Sequence, residues 1–244
     1  MKQTSCVAVL LLLAFYCVPS MNAQTLDEIL AKNYKARGGL DRIKSKQTMW
    51  IKGKMMMGGM ELPFTAVMKR PNLFRSEATI QGQKITQVYD GKSGWMINPM
   101  MGSSDPIDLP SEELKNLKEQ ADFDGYLIDW KTKGHKLELV GKEDVEGADA
   151  YHIKVTTKDT TVRHIYIDAD SYLEIQQKGK FPAAGKEIEV STSLGSYKLV
   201  DSLMVPFSTD GKAQGKSFQQ SLIDTVAFNV PVADSLFIKP KPKK

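Results

Sequence analysis

Residues 49–70 read MWIKGKMMMGGMELPFTAVMKR, and a period of two runs through them. Before the glycines, the odd positions are Met49, Ile51, Gly53, Met55 and Met57, while Lys52 and Lys54 take even ones. After them the even positions are Met60, Leu62, Phe64, Ala66 and Met68. Gly58-Gly59 is a two-residue turn signal, because both central residues of the tight hairpin turn need positive φ. The stretch therefore predicts two long antiparallel strands sharing one apolar face. It also raises a question about methionine. Ten Met lie beyond residue 23, and nine of them fall between 49 and 101.

The same pattern spreads outward. Short runs near 73–80, 84–90, 94–98, 136–141, 150–157, 161–168, 172–179, 186–194, 197–200, 203–207 and 217–228 alternate and are divided by turn residues, which argues for a meandering antiparallel all-β body. No strand–helix alternation points to a parallel sheet. A helix precedes this body: Leu26, Ile29, Leu30 and Tyr34 recur at helical intervals, Thr25 and Glu28 have capping-box spacing, and Gly38 can end the helix. One segment breaks the meander. In 102–130, Ser111 can cap a short helix carrying Leu114 and Leu117, and an apolar turn follows with Phe123, Tyr126, Leu127, Ile128 and Trp130. An insertion of this length in a meander reads as a lid or binding element.

Residues 1–23 read as a cleavable signal peptide: one Lys, an apolar run from about Cys6 to Val18, and small or polar residues ending in Ala23. Both cysteines lie within it, so the exported chain of 24–244 has no disulfide to brace it. A lipid-anchored start is rejected, since Tyr16 rather than a small residue precedes Cys17. The whole chain carries +4; Lys2 leaves with the leader, and the four Lys of 239–244 outweigh the remaining +3. The body 24–238 is thus near neutral, with no basic face for nucleic acid. It reads as one domain, a monomer, followed by a tail at 239–244 that is either disordered and solubilising or weakly attracted to an anionic membrane surface.

Catalytic patterns are missing. His135, His152 and His164 lack zinc spacing, and His152, alternating with Tyr151 and Ile153, is read as facing water. Gly91-Lys92-Ser93 lacks the earlier glycine and the helix of a phosphate loop. No G-x-S-x-G elbow occurs, and no cysteine remains as a nucleophile. The chain is read as a non-enzyme with no cofactor and no metal. Methionine clusters could capture Cu(I), yet no His lies between 24 and 134 to complete such a site. Met could also simply fill a core, but rigid cores favour branched side chains with defined rotamers. A wall that must accept changing apolar cargo gains from Met, which re-packs easily. The expected wall is Met49, Ile51, Met55, Met57, Met60, Leu62, Phe64 and Met68, with Trp95 added. Parity places Arg70 at the end of the row 62–64–66–68: either the strand bends before Pro71 and Arg70 escapes to solvent, or it faces the apolar hollow, where it needs acceptors and backbone carbonyls of the lid are the nearest supply.

Lys69-Arg70-Pro71-Asn72-Leu73-Phe74, then Asp90-Gly91-Lys92-Ser93-Gly94-Trp95-Met96-Ile97-Asn98-Pro99, resembles the signature half of the periplasmic lipoprotein-sorting carriers, the LolA-like family with its LolB acceptors. Residues 200–207 and 224–240 resemble the end of wider members. The resemblance implies an incomplete antiparallel β-barrel, a curved sheet of about 11 strands, with the N-terminal helix and short helices as a lid over a hydrophobic hollow. It implies a periplasmic carrier that takes lipoprotein acyl chains from an inner-membrane release complex to an outer-membrane acceptor. It also implies that Arg70 is a latch, with Leu114, Leu117, Phe123, Tyr126, Ile128 and Trp130 in the lid. The rival readings are a sensor for another apolar ligand on the same fold, and a Met-rich copper protein.

Overall fold

The computed structural model describes residues 24–102, 104–183 and 186–241; the signal-peptide reading and residues 242–244 of the tail lie outside them. Helix α1 (Leu26–Ala36) starts at a reciprocal cap, in which Thr25 accepts from the Glu28 amide while the Glu28 carboxylate accepts from the Thr25 amide. A short helix α2 (Leu40–Ser45) follows, which the sequence reading had not separated. Then come β1 (Thr48–Met57), β2 (Met60–Lys69), β3 (Leu73–Ile80), β4 (Gln83–Tyr89), β5 (Gly94–Ile97), β6 (Ile107–Asp108) and α3 (Ser111–Gln120). The second half is β7 (Lys136–Val145), β8 (Ala148–Thr156), β9 (Val162–Asp168), β10 (Glu174–Ala183), β11 (Lys186–Gly195), β12 (Lys198–Val200), β13 (Leu203–Val205), β14 (Ser208–Ala213) and β15 (Lys216–Phe228).

Thirteen of these strands form one antiparallel sheet, ordered β6-β5-β4-β3-β2-β1-β15-β14-β11-β10-β9-β8-β7. The two edges, β6 and β7, do not pair, so the barrel is incomplete. The expected count of about 11 was low because β6 and β14 are short and polar and carry little alternation. Residues 197–207, read as two strands of the sheet, instead make the separate β12–β13 hairpin.

The opening hairpin has the register that parity demanded. Met49 faces Met68, Ile51 faces Ala66, Gly53 faces Phe64, Met55 faces Leu62 and Met57 faces Met60. Gly58 and Gly59 both take positive φ, 57° and 79°. Gly53 is required here: a Cβ would lie 2.3 Å from the Leu222 carbonyl oxygen of β15 and 3.1 Å from the Phe64 ring. Its absence lets β15 and Phe64 close over the strand.

Two apolar layers cover the inner face. Over β7–β9, α1 packs Ile29 and Leu30 on Ile153, Val155, Ile165 and Ile167. Over β1–β4, α3 packs Leu114 and Leu117 on Ala66, Met68, Phe74 and Tyr89. Gly94 keeps that contact close, since a Cβ there would meet Leu114 and Leu109 methyls at 2.8 and 2.9 Å. On the outer face the chain end runs back along β3–β5, burying Phe237 against Val88 and Trp95.

Candidate functional site

The inner wall built by β1 and β2 has two distinct stretches. Near the helices, Met49, Ile51 and Met68 lie in the layer beneath Leu117, Ala121 and Phe123. Further along the same face Leu62 is buried, while Met55 and Phe64 are half-buried. At the hairpin tip Met57 and Met60 are 38% and 46% exposed. The register brings other exposed apolar side chains to this end: Met100 and Met101 beyond β5, and Phe218 at the start of β15. The wall is thus capped at one end and rimmed by loose, greasy side chains at the other. Trp95 does not belong to it. Its neighbour across the ladder is Val88, whereas Gly94 and Tyr89 hold the inner positions, so Trp95 points outward and its indole Nε1 donates to the Phe237 carbonyl at 3.2 Å.

The segment 111–130 spans both halves of the sheet. Leu114, Leu117 and Phe123 sit on the β1–β4 layer. Tyr126, Leu127 and Trp130 join the α1 and β7–β9 layer, and Ile128 is buried with Ile43 and Leu203. Beyond α3 the segment is a series of turns.

Arg70 does point inward. Its Nη1 and Nη2 donate to the two carboxylate oxygens of Asp124 at 2.7 and 2.5 Å. Nε donates to the Lys46 carbonyl at 2.7 Å and Nη2 to that of Ile43 at 3.2 Å. The guanidinium also lies over the Phe123 ring, 4.5 Å from its centroid. The expected source of acceptors needs correcting: the carbonyls come from the α2 region, and the lid supplies a carboxylate. Burial pushes the Asp124 carboxyl up, but the Arg70 hydrogen bonds and charge, with Lys133 and Lys44 behind them, hold it below its ordinary value.

A second arginine grips the same segment. Arg163 of β9 is 5% exposed at its side chain, and its Nη2 donates to both Glu119 oxygens at 3.1 and 2.9 Å. Tyr126 donates to the same carboxylate at 2.7 Å. Burial, then the charge of Glu119, pushes the Tyr126 hydroxyl well above its ordinary value, with Arg163 pulling it back. Sequence reasoning missed Arg163, although the signal was the one that found Arg70. In β9, positions 163, 165 and 167 share a face, and an arginine ends a row of two isoleucines.

Between lid, sheet and the β12–β13 hairpin lies a cavity of about 190 Å³, lined by Met49, Phe123, Leu194, Val205 and Phe228 and by three polar residues, Arg37, Glu174 and Tyr197. An apolar void of about 150 Å³ already admits a benzene-sized guest. Tyr197 donates to the Glu174 backbone carbonyl at 2.6 Å, and burial pushes its hydroxyl upward.

His152 and His164 lie elsewhere, whereas the His135 ring lies 6.2 Å from that of Tyr126. His152 is buried on the outer face, correcting its solvent-facing assignment: Tyr166 stacks on its ring at 4.7 Å. Its Nδ1 lies 2.5 Å from Glu143 and its Nε2 2.7 Å from His164 Nδ1. Among the described residues, no group of three or more His, Cys, Asp or Glu could hold a metal ion. No helix among them is long and apolar enough to cross a membrane.

No family model and no curated protein matches the chain by sequence. Solved structures do match its shape. A DUF1329 family protein from Desulfovibrio piger superposes with a TM-score of 0.60 at 14% identity, covering 87% of this chain and 96% of that one. A LolA superfamily protein from Nitrosomonas europaea gives 0.58 at 15% identity, covering 89% and 99%. A Vibrio parahaemolyticus domain assigned to outer membrane lipoprotein sorting gives 0.57 at 8% identity, covering 85% and 95%. The chain therefore has the LolA-like fold.

Proposed function

We propose that this chain is a non-catalytic periplasmic carrier, which takes acyl chains of lipoproteins into the hollow between sheet and lid and delivers them toward the outer membrane. One observation carries the reading: the apolar row of β1 and β2 packs beneath the lid at one end and runs on, past the buried Leu62 and the half-buried Met55 and Phe64, to the exposed Met57 and Met60 at the other. A permanent core would bury that row throughout. The fold supports the reading, since one structure of similar shape is assigned to lipoprotein sorting.

The energetics fit a carrier that must also let go. Burying acyl chains contributes about 0.8 kcal/mol per methylene. Several long chains would approach the affinity ceiling of roughly 20 kcal/mol, beyond any useful release rate. An opposing term is needed, and the closed lid supplies it. A cavity of about 190 Å³ is too small for a whole acyl chain, so loading must break lid contacts. Those contacts re-form when cargo leaves. Methionine suits the vacated wall, because its flexible side chains can fill or yield the same space.

Mass spectrometry of lipid extracted from the exported protein is expected to show triacylated lipoprotein. Free lipid alone would favour a sensor, and lipid-free protein that binds no lipopeptide would end the carrier reading. Arg70→Leu removes contacts that favour the closed lid, so cargo should load but leave slowly; unchanged transfer to acceptor vesicles would count against the latch. Met57 and Met60 also put two thioethers opposite each other. Sub-micromolar Cu(I) binding lost on changing Met55 and Met57 would overturn the lipid reading in favour of copper.

A further inference from the structure

The cavity beneath the lid is apolar on most sides, yet Arg37 and Glu174 both face it without forming an ion pair. Arg37 caps the end of α1 and makes no side-chain hydrogen bond among the described residues, while its backbone carbonyl is taken by the Met204 amide at 3.1 Å. Glu174 opens β10 on the inner face, where its ladder partner is Ile167. Its Oε1 is sealed from solvent and has no hydrogen-bond partner among the described residues. A buried acceptor without a partner is rare in folded proteins and asks for an explanation. Tyr197 does not answer it, since that hydroxyl is spent on the Glu174 backbone carbonyl.

We propose that Arg37 and Glu174 form a head-group site for an acyl amide, Arg37 donating to the amide carbonyl and Glu174 accepting its N–H. This rests on the lipid-binding reading of the hollow and adds the class of ligand. Charge disfavours ionic heads. A carboxylate or phosphate head would meet Arg37 but be repelled by Glu174, and an ammonium head would suffer the reverse. A neutral ester satisfies Arg37 and leaves Glu174 Oε1 without a donor. A secondary amide in its trans form presents N–H and C=O in opposite directions, which suits a donor and an acceptor on different walls. Burial raises the Glu174 carboxyl above its ordinary value, while a Gln177 side-chain hydrogen bond and the Arg37 charge pull it back. The apolar walls, Met49, Phe123 and Phe228, would hold the first methylenes of the chain.

The test uses the full exported chain, stripped of lipid, with diphenylhexatriene as a purely apolar fluorescent probe. Its displacement is measured for N-methylpalmitamide, methyl palmitate, palmitate and hexadecanol. The amide should displace the probe at about tenfold lower concentration than the ester, the difference made by one net hydrogen bond. Glu174→Leu should bring that ratio to about one, and Glu174→Gln, which keeps a carbonyl acceptor, should retain most of it. If diphenylhexatriene fails to bind, the hollow itself is not a lipid site. If it binds and amide and ester compete equally, or if palmitate or hexadecanol competes best, the head-group site is wrong while the hollow stands. A triacylated lipopeptide and a ceramide, both N-acyl amides, are then compared. Greater sensitivity of the lipopeptide to Glu174→Leu supports a lipoprotein source and the reverse a ceramide-like one, while insensitivity of both overturns the site.

Discussion

The lid is held by two arginines from opposite halves of the sheet, and they hold it differently. Arg70, at the end of β2, is 18% exposed at its side chain and grips Asp124 with both Nη atoms. Asp124 also lies in the field of Lys133 and Lys44, so it would keep cationic neighbours if Arg70 let go. Arg163, in β9, is 5% exposed, and Glu119 also accepts from Tyr126. Glu119 has no second cation within hydrogen-bond reach among the described residues. Arg163 is the more deeply buried cation, and its carboxylate is held by two side chains where Asp124, among the described residues, is held by Arg70 alone. The Arg163 side therefore has the makings of a pivot and the Arg70 side those of a clasp.

The largest expected effect follows from the pivot. Arg163→Leu leaves the half-buried Glu119 carboxylate with Tyr126 as its one donor among the described residues, and should lower the free energy of unfolding by about 3 kcal/mol, the low end for breaking a buried pair. Denaturant titration followed by circular dichroism measures this. A double change, Arg163→Leu with Glu119→Leu, should recover part of the loss, because removing both charges spares the orphan. Arg70→Leu should cost less, about 1–3 kcal/mol, chiefly from the stranded carbonyls of Ile43 and Lys46 and the weakened grip on Asp124. Its signature is local. Amide exchange in 111–130 should quicken with little change at β7–β9. The pivot assignment fails if Arg70→Leu proves the more destabilising of the two.

Seating the lid depends on Gly94 as well. Gly94→Ala puts a methyl against Leu114 and Leu109. An overpacked contact of that kind costs typically 1–3 kcal/mol, and flexible Leu side chains place it at the low end. The change should raise exchange in α3 but leave the Arg163 contacts intact, which separates it from Arg163→Leu by the region that loosens.

This contrast also shows what the sequence could tell. The 49–70 hairpin was legible because alternation, a Gly-Gly turn and an end-of-row arginine all agreed, and the structure keeps that register. Trp95 was misplaced because a four-residue strand offers too little alternation to fix its face; Gly94, which marks the inner side, looked like a turn residue. His152 was assigned to solvent by the same alternation that correctly turned it away from Ile153. Parity distinguishes two faces, not buried from exposed, and the outer face of β8–β10 carries its own packed layer, with Tyr166 and Ile175 beside Ala150. Arg37 and Glu174 left no mark, since they lie 137 positions apart and only the folded chain brings them to one cavity. Arg163 was within reach of parity but came without a neighbouring motif to draw the eye.

The smallest effects separate the two grips by pH. The Asp124 carboxyl is held below its ordinary value of 3.8, so its contribution is complete above that value and is lost as pH falls through the lowered one. Tyr126 is held above its ordinary value of 10.0, so its contribution is complete below that value and is lost as pH rises beyond it. Acid should thus loosen the Arg70 side, and alkali the Arg163 side. Stability below pH 4 should depend less steeply on pH in Asp124→Asn, and stability above pH 10 less steeply in Tyr126→Phe, each variant leaving the other limb unchanged. Exchange measured at the two extremes would show whether the loosened residues follow. Acid should free the turn around Phe123 before the β9 contacts, and alkali should act in the opposite order. If both extremes loosen the whole segment 111–130 together, the lid moves as one rigid piece, and the distinction between clasp and pivot dissolves into a single cooperative contact.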